Sequence, residues 1–353
     1  MNGPRTGVPY IAGTGTALPG DPVTNESLAR LLGAGARWIE DFTGNRARHF
    51  ATDLDTGACS LTLTDLCEQA ADAALADARV DPGEIGFVVL GTATPDHLMP
   101  ATVNLVADRL GIGQVPTYQL QSGCAGAVQA LDTACRLLRD PDATDDDLTG
   151  LVIGGDICNK HFALNQDFSR LHPNQLVNYM LFGDGAAAAV LSRRPRGHAV
   201  AVRRVFQRFV GLGRPPGQVI EWFGAAERDA GRPAATEDYK AIEEYVPRLA
   251  EEIVRELADD TGWKLDELDY LLPPQLSGRM TRRIVEELAV PAHEVSCVAV
   301  TGNNGNALPL LQLDRLMPLM REGERALCAA VESSKWIKGG LALEKVRGGA
   351  DAV

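Results

Sequence analysis

The chain has 353 residues, 45% of them hydrophobic and 23% charged, with a formal net charge of −13. That length allows two core-forming units, because single cores seldom grow beyond about 250–300 residues, and the composition is that of a globular protein. The acidic balance argues against a nucleic-acid or anionic-membrane partner.

An acidic carrier protein would need a local basic patch. Arg279, Arg282 and Arg283 are candidates, although a solvated helix face explains them as well. The seven cysteines, at 59, 67, 124, 135, 158, 297 and 328, form no CxxC pair, and the six histidines lack metal-ligand spacing. Neither a metal site nor a disulfide framework is expected. With no signal-peptide apolar region at the N-terminus and no 18-residue apolar run, a soluble cytoplasmic protein without a membrane partner is expected.

Along the chain, short apolar runs alternate with amphipathic segments, the pattern of an α/β protein with buried strands. Gly13-Thr-Gly-Thr-Ala-Leu-Pro-Gly20 lacks the glycine spacing and the Lys-Ser/Thr ending of a phosphate loop. A helix is predicted over 61–78, then a strand over 87–90. Next comes Gln119-Leu-Gln-Ser-Gly-Cys-Ala-Gly-Ala-Val-Gln-Ala-Leu131, a strand-to-helix elbow with Cys124 at its tip and a helix over 125–138. An acidic solvated turn at 140–147 leads to strands over 151–153 and 186–190. The stretch 207–236 is rich in Gly, Pro and Arg and has no sustained period. It reads as a connector or cap, either a substrate-tunnel wall or a plain surface insertion. A helix over 240–257, with Ile242, Tyr245, Val246, Leu249, Ile253 and Leu257 as its core stripe, precedes strands over 270–272 and 326–330.

The order of elements occurs twice, with 297–304 and a following helix in the place of the Cys124 elbow. A duplicated α/β unit is therefore expected, with halves at 1–195 and 196–353 and the cap 207–236 in the second. The loops after Leu272 and Val300 should then converge on the elbow, at the carboxyl edge where parallel sheets place their chemistry. A thiol at a helix N-terminus faces unpaired N–H groups that favour the thiolate, which suits an acyl-carrying nucleophile. A buried structural cysteine is the alternative.

Six segments, in order along nearly the whole chain, resemble the thiolase-fold condensing enzymes, in particular β-ketoacyl-acyl carrier protein synthase III. They are 38–49 (Trp-Ile-Glu-Asp-Phe-Thr-Gly-Asn-Arg-Ala-Arg-His), 92–101 (Thr-Ala-Thr-Pro-Asp-His-Leu-Met-Pro-Ala), Ser122-Gly-Cys-Ala-Gly126, Leu181-Phe-Gly-Asp-Gly-Ala-Ala187, 265–275 and Thr301-Gly-Asn-Asn304. The resemblance implies a five-layered α/β/α/β/α fold, a homodimer, Cys124 as acyl acceptor and Asn303 as a second catalytic residue. It implies no permanently bound cofactor and no metal. The substrate would be an acyl-coenzyme A or a phosphopantetheine-linked acyl group, with an acyl carrier protein as a possible partner.

The departures are specific. Where the family has Pro-His-Gln-Ala-Asn this chain has Pro273-Pro-Gln-Leu-Ser277, so Pro274 takes the histidine position and Ser277 an asparagine position beside the pantetheine. Proline offers no donor, and loss of one donor to a developing oxyanion typically costs about 10²–10³ in rate. Glu332, where the family has a glycine-rich loop, and His161 are candidate bases. Trp38 matches a tryptophan that stacks on adenine, Phe42 replaces a nucleotide-clamping arginine, and Lys160 stands for a second one.

The expected function is acyl transfer from Cys124 to an acceptor without decarboxylation, in specialised metabolism. The alternatives are a carbon–carbon bond-forming synthase with a rearranged site and a non-catalytic dimer partner of another condensing enzyme.

Overall fold

The computed structural model describes residues 7–140, 146–162, 167–168, 171, 173–222 and 235–347. In chain order its strands are β1 (Tyr10–Ala17), β2 (Val23–Thr24), β3 (Ala47–Arg48), β4 (Ile85–Thr92), β5 (Thr117–Gln121), β6 (Thr149–Ile157) and β7 (Asp184–Ser192). They continue as β8 (Val200–Phe209), β9 (Gln218–Ile220), β10 (Ala235–Glu237), β11 (Tyr270–Leu272), β12 (His293–Glu294), β13 (Arg325–Glu332) and β14 (Ile337–Lys345). The helices are α1 (Asn25–Leu32), α2 (Ala36–Thr43), α3 (Leu63–Ala78), α4 (Thr102–Arg109) and α5 (Gly126–Leu138). After them come α6 (Pro173–Leu181), α7 (Tyr239–Thr261), α8 (Gly278–Leu288), α9 (Val298–Thr301) and α10 (Leu308–Leu316).

Ten strands form one continuous sheet in the order β12-β11-β13-β14-β8-β1-β7-β6-β4-β5. Read outward from its centre, the same pairing pattern occurs twice. β1 is antiparallel to β7, β7 antiparallel to β6, and β6 and β5 parallel to β4. Likewise β8 is antiparallel to β14, β14 antiparallel to β13, and β13 and β12 parallel to β11. The two sets join only where Tyr10 and Ile11 pair with Ala201 and Val200.

Three apolar clusters fix the layers. α3 and α4 cover the outer face of the first set, through Ala70, Ala74 and Val106 against Val88, Leu90, Ile153 and Ala188. α5 and α10 fill the space between the sets, where Leu131, Ala134, Leu310 and Leu313 meet Val152, Ala189, Val202 and Leu341. α7 and α8 cover the far face, with Leu249, Ile253 and Ile284 against Leu271, Leu327 and Ala342. The result is the expected five-layered α/β/α/β/α thiolase fold.

Local chemistry explains the elements. α3 starts at a capping box, in which Thr62 accepts from Asp65 N and the Asp65 carboxylate accepts from Thr62 N. Its alanine face lets β1 lie close: a Cβ on Gly13 would fall 2.4 Å from Ala78 N, and one on Gly15 2.3 Å from Ala74 N. Those glycines also hide β1 from an apolar-run search, since a strand interior rich in glycine gives a weak signal. Of the other long strands, β8 and β14 were also missed by the run pattern.

Two expectations need correction. Residues 297–304 form no strand. Val298–Thr301 is a short helix, and the strand in that place is the two-residue β12. The stretch 207–236 is not loop throughout either, because β8 runs to Phe209 and β9 pairs with β10 in an antiparallel ribbon; residues 223–234 of it lie outside the described residues. The acidic turn at 140–147 is described only at its ends.

Candidate active site

Cys124 lies in the turn between β5 and α5, two residues before the first helical one. Gly126 N donates to Gly123 O at 2.8 Å and closes the turn. A side chain at Gly126 is excluded, for its Cβ would sit 2.1 Å from Asn306 Oδ1.

The turn is held from behind by a buried carboxylate. Asp156, near the end of β6, accepts through Oδ1 from Thr92 Oγ1 (3.0 Å), Ala93 N (2.8 Å), Thr94 N (3.1 Å) and Thr94 Oγ1 (3.0 Å). Its Oδ2 accepts from Asn306 N and Asn306 Nδ2, both at 2.8 Å. The same Asn306 amide donates to Ser122 O at 2.7 Å. One aspartate thus ties the loop after β4 and the turn before α10 to the elbow. Burial raises its pKa against these hydrogen bonds.

On its other side the elbow meets Glu332, at the end of β13. This carboxylate is buried, accepts from Ser122 Oγ at 2.9 Å and from Ser334 Oγ, and would touch a Cβ on Gly123 at 2.8 Å. The Cys124 thiol is pushed up to about 12, chiefly by desolvation and then by the charges of Glu332 and Asp156. Against the expected helix stabilisation of a thiolate, desolvation and two nearby carboxylates act in the opposite direction.

A cleft of ≈ 670 Å³, counted to its open mouth, lies in front of Cys124. The second strand set supplies the facing wall through Pro274, Gln275, Leu276 and Asn303, so the two loops expected to converge on the elbow do so. Their geometry is locked from within. Gln275 Oε1 accepts from Cys297 N (2.8 Å) and Val298 N (3.0 Å), and its Nε2 donates to Ser296 Oγ (3.1 Å). Gln312 Nε2 donates to Pro273 O at 3.0 Å, and Thr281 Oγ1 to Pro274 O at 2.9 Å. Asn303 is fully buried, its Nδ2 donating to Leu276 O at 3.3 Å and its Oδ1 accepting from Gly305 N at 3.1 Å.

The remaining candidates divide. Phe42 and Ser277 line a second cleft, together with Arg279 and Arg283, that shares Leu181, Tyr239, Ile242 and Leu276 with the first. Trp38, 45% exposed, stacks on Phe42 with centroids 5.4 Å apart and planes at 18°. Ser277 caps α8, its hydroxyl accepting from Met280 N at 3.1 Å. Lys160 is tied to the loop after β4, donating to Thr94 O (2.5 Å) and Pro95 O (2.8 Å).

His161 follows β6 on a short 3-10 turn and is not among the residues lining the Cys124 cleft. Burial, then the charge of Lys160, lowers its pKa to about 4. Its Nε2 has no partner among the described residues. Among those residues no three His, Cys, Asp or Glu side chains gather as a metal site requires.

Sequence reasoning missed Asp156, Asn306, Gln218, Glu237 and Tyr239. Asp156 had a signal, a lone acid closing the apolar run of β6; the others had none, because their contacts cross from one strand set to the other, within the ribbon, or from the ribbon to α6 and α7.

Comparison with known proteins agrees with this geometry. A family described as 3-oxoacyl-[acyl-carrier-protein] synthase III matches residues 118–205, the segment with β5, the elbow and β6 to β8. β-Ketoacyl-[acyl-carrier-protein] synthase III 3 of Streptomyces coelicolor is 31% identical over 329 residues, 91% of this chain and 92% of that protein. The chain belongs to the β-ketoacyl-acyl carrier protein synthase III family. It is thus an enzyme of the synthase III type, a family that works on acyl thioesters.

Among solved structures, AbyA1, a tetronic acid condensing enzyme, is 54% identical with a TM-score of 0.91, covering 95% of this chain and 99% of that one. The synthase III of Pseudomonas aeruginosa PAO1 is 28% identical with a TM-score of 0.81, covering 96% and 99%. The priming β-ketosynthase of the R1128 polyketide pathway is 25% identical with a TM-score of 0.82, covering 99% of each chain. This synthase III relative therefore has neighbours in natural-product pathways.

Proposed function

We propose that the protein loads an acyl group from a coenzyme A or carrier-protein thioester onto Cys124. It then passes that group to a nucleophilic acceptor without decarboxylation, in a condensation of the tetronic-acid type. The observation that carries this reading is Pro274 in the wall opposite Cys124. Its ring offers no donor to the enolate that forms as carbon dioxide leaves a malonyl group, and the nearby Asn303 amide is turned to Leu276 O. The likeness to AbyA1 adds support. A tetronic acid is an enolised β-keto lactone, and its ring carbon–carbon and carbon–oxygen bonds can both be made by acyl transfer without loss of carbon dioxide.

In the loading step Cys124 Sγ attacks the thioester carbonyl, and its proton passes to the Glu332 carboxylate. The bond to the pantetheine sulfur breaks, and that sulfur recovers the proton. A thiol pushed up to about 12 needs such a base, and Ser122 orients the carboxylate. For the donor, the Trp38–Phe42 stack and Ser277 flank the second cleft, while Lys160 is committed to two carbonyls. A carrier-protein donor, for which the pantetheine arm supplies most contacts, fits this arrangement better than a tightly clamped nucleotide.

The test is intact-protein mass spectrometry of wild type and Cys124→Ala with a panel of acyl thioesters, followed by a malonyl-thioester chase. An adduct on wild type alone that survives the chase is the expected result. Discharge by malonyl with release of carbon dioxide would establish a decarboxylating synthase instead, and no adduct from any donor would point to the non-catalytic partner.

A further inference from the structure

The mechanism above leaves unassigned the group that takes the acceptor's proton when the acyl group leaves Cys124. Glu332 packs against Gly123 and Ser122 and is not among the described residues that line the cleft in front of Cys124. The front of the cleft holds another carboxylate. Glu237, the last residue of β10, is the only acid among the described residues that line it. The thiol feels its charge as well as that of Glu332.

Glu237 is built in rather than left loose. Its Oε1 accepts from Gln218 Nε2 at 2.6 Å, across the β9–β10 ribbon. The Tyr239 hydroxyl, at the start of α7, donates to the same carboxylate. From α6, the Asn178 amide, turned with its nitrogen toward this cluster, donates to Oε2 at 2.6 Å. A carboxylate has about four lone-pair sites, so three donors among the described residues leave one, and Glu237 lines the cleft. Burial raises the Glu237 pKa despite these bonds, which brings a carboxylate closer to the range useful for a base.

We propose that Glu237 is the general base of the transfer half-reaction, taking the proton from the acceptor atom that attacks the Cys124 thioester. This rests on the reading of Cys124 as acyl carrier. The acceptor is then a molecule whose reacting atom carries an acidic proton, either a hydroxyl or a carbon between two carbonyls. The acceptor X–H bond breaks, with its proton going to Glu237. The X–C bond forms, the Sγ–C bond breaks, and the Cys124 thiolate takes the proton from Glu237. No oxidant or outside proton source is needed.

The experiment separates the two half-reactions on the intact protein. Wild type, Glu237→Gln, Glu237→Asp and Gln218→Leu are loaded with the same acyl thioester. Adduct formation, and then its discharge by a β-keto thioester or an alcohol, are followed by mass spectrometry. Glu237→Gln should load within about threefold of wild type and discharge on the order of 10²-fold more slowly. Glu237→Asp should recover part of the loss, and Gln218→Leu should slow discharge less. Equal discharge by wild type and Glu237→Gln would overturn the assignment while leaving Cys124 in place. So would a folded Glu237→Gln protein that cannot load, which would move Glu237 to the first half-reaction. If wild type never forms an adduct, the reading of Cys124 itself falls.

Discussion

The elbow at Ser122–Gly126 and the segment Pro273–Ser277 face one cleft from the two strand sets, and they are built differently. The elbow presents Cys124 to the cleft, while Asn306 and Glu332 hold Ser122 beside it. In the second segment the polar side chains are turned inward to backbone partners: Gln275 to Cys297 and Val298, Ser277 to Met280. Pro274, Gln275 and Leu276 of this segment line the cleft. Here one side holds the proposed nucleophile and the other a shaped wall, with carboxylates at Glu332 and Glu237 nearby. That asymmetry suits acyl transfer, which needs a nucleophile and bases, better than decarboxylation, which needs donors to an enolate.

The comparison breaks most sharply at the nucleophile. Cys124→Ala should lower turnover by at least about 10⁴-fold, since no other lining group can carry an acyl thioester; an acyl adduct on that variant would overturn the role of the elbow. The opposite wall is tested by Pro274→His, which restores a donor. Carbon dioxide release from a malonyl thioester should rise by up to about 10²-fold over wild type. If wild type already decarboxylates at the rate of the variant, the wall is not what limits the chemistry.

The elbow's electrostatics predict a pH dependence. With the thiol pushed up to about 12, the thiolate fraction grows about tenfold per pH unit below that value. Alkylation of Cys124 should therefore climb without a plateau from pH 6 to 9. A plateau near neutrality would mean an activated thiolate at rest.

Behind the elbow, Asn306→Ala removes the bridge between Asp156 and Ser122 O and leaves buried groups unpaired. Unfolding free energy should fall by about 2–3 kcal/mol, read as a lower denaturant midpoint; an unchanged midpoint would show that the bridge is dispensable. The smallest effect belongs to the exposed Trp38–Phe42 stack. Trp38→Ala should weaken an acyl-coenzyme A donor by no more than a few-fold, about 1 kcal/mol for an aromatic pair at the surface, and leave a carrier-protein donor nearly unaffected. A large loss with both donors would contradict a minor role for the Trp38–Phe42 stack in donor binding.

Much of this architecture was legible in residue order. Buried strands such as 151–153 and 186–190 announce themselves as apolar runs, and amphipathic helices such as 240–257 by their stripe, because burial on one or two faces imposes a period on the chain. The elbow was legible too, since a strand, a small-residue turn and a helix are consecutive. The sequence by itself thus determined the α/β class, the repeated order of elements, the position of Cys124 and the absence of a histidine at 274. The tertiary structure decided the desolvated, carboxylate-flanked setting of the thiol, the inward turn of Gln275 and Ser277, the bridge from Asp156 through Asn306 to the elbow, and the arrival of Glu332 and Glu237 at the site. The reason is physical. Desolvation, and the partner a polar group finds, depend on which atoms the fold brings together across separations such as the 210 positions between Ser122 and Glu332. No local period carries that information.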